Sequence, residues 1–246
     1  MYPYFHLFGI NLSSYAVMAA IGIVISIAVL FVGCKKFHKS FDDSIYIYGF
    51  TLIGIFLGAR LLFTLISIPI YGLTLDVLFC GGFVFWGGFI GGWIAAVVAA
   101  RYFEISIKDY YPVLVPSVAI FAGFGRIGCF LTGCCYGKES VMAGVCYSVS
   151  EIAPNGVPLI PIQLFEAAFD YLIAILIFGK KDAMKKYALL YAVFRFFAEF
   201  FRGDDIRGHI GIFSVSQFIS VVVIIIVISG NVLLRLSNGE RQIKRV

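Results

Sequence analysis

Charged residues are scarce in this sequence. Asp, Glu, Lys and Arg make up 13% of the 246 residues, about half the share found in ordinary soluble domains. Hydrophobic residues make up 61%, and the mean hydropathy is +0.98. This composition excludes a soluble globular chain, and no basic stretch interleaved with aromatic residues suggests a nucleic-acid surface. The composition therefore predicts a membrane protein that does not bind nucleic acid.

Groups that carry familiar enzyme chemistry are scarce too. The sequence contains three histidines, and none of them lies near Cys129, Cys134 or Cys135. The Cys129-x4-Cys134-Cys135 spacing matches no standard zinc pattern, so we expect no metal and no cofactor. The sequence shows no Ser-His-Asp set and no Walker loop. The last apolar segment, 211–234, has no lysine for a Schiff base, which excludes a retinal protein.

Apolar segments fill the chain. Most of them reach the roughly 20 residues that a membrane-spanning helix needs. We predict an all-α polytopic fold with about seven spans in one transmembrane domain, 1–246, whose longest loop is 136–159. The seven segments are 12–34, 44–70, 77–100, 111–131, 160–179, 187–202 and 211–234.

Lysines and arginines alternate between the predicted loops. Thirteen lie on one side and three on the other. Because basic residues concentrate in cytoplasmic loops, this pattern predicts that Met1 and loop 136–159 lie outside and Val246 lies in the cytoplasm. Residues 1–11 have no Lys or Arg and no convincing cleavage site, so we expect the first apolar run to remain as a helix.

Three arginines lie inside the apolar segments: Arg60, Arg126 and Arg195. Such an arginine usually marks a bundle interior, an ion pair or an anionic ligand, although one near a helix end can also reach the headgroups. Arg195 and Glu199 are four residues apart and can pair on one helix face; a purely structural ion pair is the alternative. The acidic candidates within the spans are Glu199, Glu166 and Asp170.

Glycines recur in the third apolar segment and on both sides of Arg126. The third segment contains pairs at 87–88 and 91–92, whose small-xxx-small spacing predicts close helix packing, with room for a lipid chain as the alternative. Gly125 and Gly128 flank Arg126 and allow the backbone to approach a ligand.

Four cysteines fall at or beyond the end of the fourth segment. An oxidising exterior permits a disulfide there, and we predict that two of Cys134, Cys135 and Cys146 pair. A nucleophilic cysteine would need a base, and this stretch shows none.

Six short motifs follow one another along the chain. They are Tyr15, Gly58-Ala59-Arg60, Gly125 to Gly137, Gln163-Leu164-Phe165-Glu166, the Tyr191/Arg195/Glu199/Arg202 series with Asp204-Asp205, and Gln217 with Ser220. In this order they resemble the bacterial prolipoprotein diacylglyceryl transferase family, and the stretch from Gly125-Arg126 through Gly137 is similar to its GRxGNF signature.

The resemblance implies a multi-pass enzyme of the bacterial inner membrane. It implies transfer of the diacylglyceryl group of phosphatidylglycerol to the lipobox cysteine of a prolipoprotein, with the signal peptide and membrane lipid as partners. The implied catalytic residues are Arg126, Arg195, Glu199 and Tyr15. The implied substrate-binding residues are Arg60, Gly125, Gly128, Gln163, Tyr191, Arg202 and Gln217.

On this resemblance we expect Arg126 and Arg195 to contact the lipid phosphate, Glu199 to hold Arg195, and Arg60 to support them. We expect Arg202 to sit at the aqueous edge.

The sequence departs from the family pattern at four positions. Trp86 and Ile160 stand where histidines are usual, Cys129 replaces the signature asparagine, and Cys134 falls where a glutamate is typical. Two alternatives therefore remain open: a divergent enzyme that uses another lipid or acceptor on the same scaffold, and a non-catalytic lipid-binding or transport protein.

Overall fold

The computed structural model describes residues 3–7, 10–79, 82–204, 209–210 and 213–243. Asp205 of the Asp204-Asp205 pair lies outside the described residues. The chain divides into two compact units, one formed by Met1–Val29 with Val115–Val246 and the other by Leu30–Leu114. The single domain predicted from the sequence stays a prediction.

Helices make up most of the described chain, which confirms the all-α prediction in its coarse form. The helices are α1 Ser14–Lys36, α2 Phe41–Tyr71, α3 Leu75–Phe79, α4 Phe85–Tyr102, α5 Ile107–Thr132, α6 Ile162–Ile177, α7 Ala183–Ala198 and α8 Val215–Ile243. Short antiparallel hairpins, which the sequence analysis did not predict, pair β1 Tyr4–Leu7 with β2 Ile10–Ser13, β3 Val145–Cys146 with β4 Pro158–Leu159, and β5 His209–Ile210 with β6 Phe213–Ser214.

Three of these helices are long and apolar enough to cross a membrane: Ser14–Lys36, Phe41–Pro69 and Ile107–Thr132. Val215–Gly230 is a shorter apolar helix. Large hydrophobic side chains on their surfaces are exposed, such as Val24 (66%) and Phe56 (59%). Extensive apolar exposure is unusual on a protein surrounded by water, so these surfaces fit contact with lipid.

Within the unit Leu30–Leu114, α2 and α4 pack with their main chains in contact. A Cβ atom added to Gly58 of α2 would collide with the carbonyl oxygen of Gly87, and one added to Gly54 would collide with that of Gly91. Only small residues permit such an approach. The close packing predicted for this glycine-rich stretch is therefore confirmed.

The ends of α2 are fixed by local hydrogen bonds. Ser40 precedes the helix, and its Oγ accepts a hydrogen bond from the backbone N–H of Asp43 at 3.2 Å. This satisfies one of the free N–H groups of the first turn. Gly72 ends the helix with φ +74°, and its N–H donates to the Ile68 carbonyl at 2.9 Å.

Glycines also set the contact between α1 and α5 in the other unit. A Cβ atom at Gly22 would lie 2.7 Å from the Cβ of Phe124, and one at Gly128 would lie 3.0 Å from Cδ2 of Tyr15. Beyond α5, α7 packs against both α6 and α8. The fold thus brings α1 against α5 by contacts that leave little room for larger residues.

The loop between α5 and α6 has a small core of its own. Tyr147, Ala153 and Leu159 are buried there. The base of the loop is tied to the segment after α7, because the N–H of Lys138 donates to the Phe201 carbonyl at 2.8 Å. Gly137 forms a β-bridge with Arg202. The loop therefore fixes the main chain at Arg202.

The packing of α2 on α4 generates a stability prediction. Gly91→Val should destabilise the protein by about 1–3 kcal/mol, because the added side chain would overpack the contact with Gly54 and Gly58. Gly49→Ala is the matched control, since a Cβ atom at Gly49 meets nothing within 4 Å. Thermal unfolding in detergent micelles measures both; a Gly91→Val protein that melts with the wild type would contradict the packing.

Candidate functional site

Glu166 lies at the centre of a buried group of charges. The residue belongs to α6 and is 1% exposed. Its Oε1 accepts a hydrogen bond from Nη1 of Arg195 at 2.7 Å, and its Oε2 lies 3.2 Å from Nη1 of Arg126. Nη1 of Arg202 is 3.7 Å from Oε1. Three guanidinium groups thus share one carboxylate.

Two further carboxylates complete what we call the Glu166 cluster, which consists of Arg126, Glu166, Arg195, Glu199, Arg202 and Asp204. Burying an ion costs several kcal/mol unless it is paired and hydrogen-bonded. The cluster meets this requirement with three cations and three anions. The charges of the cluster therefore balance one another. Each buried ion depends on its oppositely charged neighbours to offset the cost of its burial.

Arg195 has both terminal nitrogens occupied by carboxylates. Nη1 donates to Glu166, and Nη2 lies 2.6 Å from Oε2 of Glu199 and 3.4 Å from Oγ of Ser216. The Glu199 contact is an ion pair without the alignment of a hydrogen bond. The pairing of Arg195 with Glu199 predicted from their spacing is confirmed. The side chain of Arg195 is 1% exposed, so the residue is held inside the cluster.

Arg202 is buried, and the prediction that it sits at the aqueous edge was wrong. Its side chain is 3% exposed. Nε and Nη2 form a bidentate pair with Asp204, at 2.8 and 2.6 Å. Nη1 has no hydrogen-bond partner in the part of the chain that the structure describes. The physical reason for the burial is the loop, which bridges Gly137 to Arg202 and covers it.

Arg126 joins the cluster from α5. Nη2 donates to the hydroxyl of Tyr191 at 3.1 Å, while Nη1 faces Glu166. Tyr191 stacks on Tyr187, with ring centroids 5.7 Å apart. The Tyr187 hydroxyl in turn donates to Oδ1 of Asp170 at 3.3 Å. Two hydrogen bonds and one ring stack therefore connect Arg126 with the buried carboxyl group of Asp170.

Tyr15, Gly125 and Gly128 meet beside Arg126. The ring of Tyr15 rests on Gly128, and a Cβ atom at Gly125 would lie 4.0 Å from the Tyr15 hydroxyl oxygen. Tyr15 is 38% exposed and interacts electrostatically with Arg126. Gly128 thus lets this tyrosine lie directly on α5, because a Cβ atom there would come within 3.0 Å of the Tyr15 ring.

Gln163 joins α6 to the loop. Its Nε2 donates to the Cys134 carbonyl at 2.7 Å and lies 3.2 Å from the Tyr147 hydroxyl. Burial raises the pKa of the Tyr147 hydroxyl, and the hydrogen bond from Gln163 partly offsets this. Gln163 Oε1 is buried and has no hydrogen-bond partner among the described residues.

Gln217 has a capping role that the resemblance did not suggest. Its Oε1 accepts from the N–H of Ser214 at 3.0 Å, while the Ser214 Oγ accepts from the N–H of Gln217 at 3.1 Å. This reciprocal pair is a capping box at the start of α8. The Ser-x-x-Gln spacing is visible in the sequence and could have predicted this capping box.

Arg60 and Trp86 belong to the unit Leu30–Leu114. The Arg60 guanidinium donates to the carbonyl oxygens of Leu78 at 2.9 Å, Val77 at 3.2 Å and Gly82 at 3.3 Å. Arg60 therefore binds the main chain at the end of α3. Trp86 is 5% exposed and packs edge-on against Phe85 and Phe89.

The predicted disulfide is not formed. Cys134, Cys135 and Cys146 are unbridged, and Cys146 is exposed. A hydrogen bond with Cys129 lowers the pKa of Cys134, but a hydrogen bond with Cys135 and burial of the sulfur raise it, and the resulting pKa is about 11. The Cys134 sulfur is therefore a neutral thiol at neutral pH.

Sequence reasoning missed the most connected residue of the site. Glu166 was noted as an acidic residue within a span, but no role was assigned to it. Asp170, Tyr187, Asp204 and Ser216 were also not included among the site residues. Two signals pointed to Glu166: its position as an acidic residue within an apolar segment and the motif Gln163-Leu164-Phe165-Glu166.

The fold and this cluster define a class of protein: a largely apolar, helical membrane protein with arginines buried in one of its units. The family described as prolipoprotein diacylglyceryl transferase matches residues 3–233, and this chain belongs to that family. The resemblance drawn from the six motifs is confirmed.

Curated relatives agree with the family match. A phosphatidylglycerol–prolipoprotein diacylglyceryl transferase of Clostridium tetani is 36% identical over 90% of this chain and 93% of its own length. A second such protein, from Clostridium perfringens, is 33% identical over 89% of this chain and 90% of its own. A third, from Clostridium botulinum, is 27% identical over 90% of this chain and 92% of its own length. The similarity therefore covers nearly the whole of each protein.

The position of Glu166 generates a prediction. Glu166→Gln should lower the stability of the protein by about 3–5 kcal/mol, because it removes the carboxylate that three buried guanidinium groups share. Glu151→Gln makes the same change at an exposed loop position and should leave stability unchanged. Thermal unfolding in detergent micelles compares the two; equal melting of both variants would contradict the central role of Glu166.

Proposed function

We propose that this chain transfers the diacylglyceryl group of phosphatidylglycerol to the cysteine thiol of a prolipoprotein, and that the Glu166 cluster binds the lipid phosphate. Membership of the family and the names of the relatives support the reaction. The observation that carries the site is the convergence of three guanidinium groups on one buried carboxylate.

The reaction places specific demands on the site. The bond between the glycerol carbon and the phosphate oxygen breaks, the substrate sulfur bonds to that carbon, and a glycerol phosphate leaves as a dianion. The thiol proton passes to water as the sulfur attacks. Fixed guanidinium groups stabilise the growing charge on the phosphate oxygens and can bind them in a bidentate manner. A buried set of arginines therefore suits the leaving group.

The three arginines have different roles in this proposal. Arg195 and Arg202 each pair with a second carboxylate, and Arg126 donates to the hydroxyl of Tyr191. We assign the external phosphate to Nη1 of Arg202, which has no hydrogen-bond partner among the described residues, and to Arg126, which faces the same carboxylate. Arg195 positions Glu166 rather than contacting the lipid.

The substrate thiol is activated by the field of the cluster. The Glu199 carboxylate is already held by Arg195, with its Oε2 2.6 Å from Nη2. Thiolate formation therefore rests mainly on nearby positive charge, which lowers the pKa of the substrate thiol. The Tyr15 hydroxyl, close to Arg126 and partly exposed, is placed to orient the phosphate or to relay the proton.

The membrane arrangement is part of the proposal. We propose about seven spans in a bacterial inner membrane, with the N-terminus outside and the C-terminus in the cytoplasm. The alternation of basic residues between the loops supports this orientation. Gln163, Gly125 and Gly128 then lie near the outer ends of their helices, where prolipoproteins present their signal peptides.

Purified protein supplied with labelled phosphatidylglycerol and a lipobox peptide tests the function. We expect the peptide to gain a diacylglyceryl thioether as a glycerol phosphate is released. Transfer from another lipid or to another acceptor would favour a divergent enzyme on the same scaffold. Lipid binding without any transfer would favour a non-catalytic lipid-binding protein.

The role of Arg126 gives a kinetic prediction. Arg126→Lys should lower the transfer rate by roughly 100- to 1000-fold, which corresponds to about 3–4 kcal/mol, because an ammonium group cannot reproduce the planar fork of donors. Arg101→Lys, at an exposed position near the end of α4, should retain full activity. An Arg126→Lys enzyme that keeps near-full activity would show that the arginine is structural.

The proposed orientation is tested by cysteine labelling. In a Cys146→Ser background, which removes the exposed native thiol of the same loop, a cysteine introduced at Met142 should react with a membrane-impermeant reagent added to intact cells, because this position is 99% exposed. A cysteine introduced at Lys181, in the loop between α6 and α7, should react only after the membrane is opened. The reverse labelling pattern would overturn the orientation.

A further inference from the structure

Three sulfur atoms converge where α5 ends. The Sγ atoms of Cys129, Cys134 and Cys135 all lie within 4.8 Å of one another. Cys129 is buried near the last turn of α5, and the other two are half-buried in the chain that follows. The proposed transfer reaction uses none of these sulfurs, so their convergence needs a separate explanation.

A tight reversal of the chain brings the sulfurs together. Gly133 has φ +79° and Cys135 has φ +58°, both in the left-handed region. The N–H of Cys134 donates to the Cys129 carbonyl at 3.0 Å and closes the turn. The spacing in the sequence matches no zinc pattern because the left-handed residues, rather than a regular loop, place the side chains.

Neighbouring groups hold this turn in place. The Gln163 side chain donates to the Cys134 carbonyl at 2.7 Å, and the Thr132 hydroxyl lies 3.5 Å from the Cys134 sulfur. The Ser150 hydroxyl donates to the Thr132 carbonyl at 3.3 Å. The arrangement is therefore fixed from α6 and from the loop, and little chain entropy remains to be lost when a ligand binds.

We propose that Cys129, Cys134 and Cys135 bind one thiophilic d10 metal ion, Zn²⁺ or Cu⁺, through three thiolates. Metal–sulfur bonds of about 2.3 Å place the sulfurs roughly 3.8–4.0 Å apart in tetrahedral or trigonal geometry. The observed separations need to contract by no more than about 1 Å. Three thiols lose their protons to solvent as the three metal–sulfur bonds form.

The surroundings suit an anionic complex. Three thiolates leave a net negative charge on either ion, and thiolates are the ligands that Cu⁺ and Zn²⁺ favour. The guanidinium groups of Arg126 and Arg202 both interact electrostatically with Cys135. These cations stabilise the bound state. Cu⁺ is satisfied by three sulfurs, whereas Zn²⁺ would take one further ligand such as water.

Metal counting on the purified full-length protein in detergent micelles tests the proposal. The protein is kept reduced, equilibrated with Zn²⁺ in one arm and Cu⁺ in the other, and desalted over a weak chelator before elemental analysis. We expect about one ion per chain in at least one arm for the wild type and for Cys146→Ser, whose sulfur is exposed and lies outside the cluster. Cys129→Ser, Cys134→Ser and Cys135→Ser should each retain little metal.

X-ray absorption on the loaded wild type keeps the test decisive even if a variant fails to fold. Three sulfur neighbours at about 2.3 Å are expected around the ion. The proposal is overturned if folded, reduced wild type retains neither ion, if Cys146→Ser loses metal as the cluster variants do, or if fewer than three sulfurs surround the ion. A disulfide within the three cysteines of protein isolated under non-reducing conditions, together with failure to bind metal after reduction, would instead indicate a redox pair.

Discussion

The shared carboxylate of Glu166 is the interaction on which this site depends. An isolated guanidinium group in a low-dielectric interior is expensive, and three of them would repel one another. Glu166 lies between all three, and Glu199 and Asp204 supply the remaining negative charge. The arginines can therefore stay charged, converged and dry without a ligand. An anion that enters meets donors already in position, which lowers the cost of reorganisation in the reaction.

The fold supplies Glu166 and the three arginines of the cluster from four different parts of the chain. Arg126 comes from α5, Glu166 from α6, Arg195 from α7, and Arg202 from the segment that the loop ties down at Gly137. Side chains on packed helices are held more rigidly than side chains on free loops. Gly128 serves the same end, because it lets Tyr15 lie against the helix that carries Arg126. The contacts between the helices thus fix the positions of the side chains in the cluster.

Local spacing explains what could be predicted from the sequence. The Arg195–Glu199 pair follows from residues one helical turn apart, and the close contact of α2 with α4 follows from the spacing of glycines. The central role of Glu166 depends on contacts between residues far apart in sequence, and the burial of Arg202 depends on how the loop folds over it. The three sulfurs meet through left-handed backbone at Gly133 and Cys135, which spacing alone does not reveal. The capping role of Gln217 could have been predicted, because the Ser-x-x-Gln signal is local. The resemblance to the family assigned the residue to substrate binding instead.

A double-mutant cycle on Arg126→Gln and Glu166→Gln tests the central claim most directly. Glutamine removes the charge at each position while keeping similar bulk, and unfolding in detergent micelles gives the stability of the four proteins. The shared-carboxylate account predicts that the double variant is more stable than Glu166→Gln alone, since Arg126 no longer lies buried without its carboxylate, with a coupling energy of about 1.5–3 kcal/mol. Losses that simply add would contradict it, because Arg126 and Glu166 would then stabilise the protein independently.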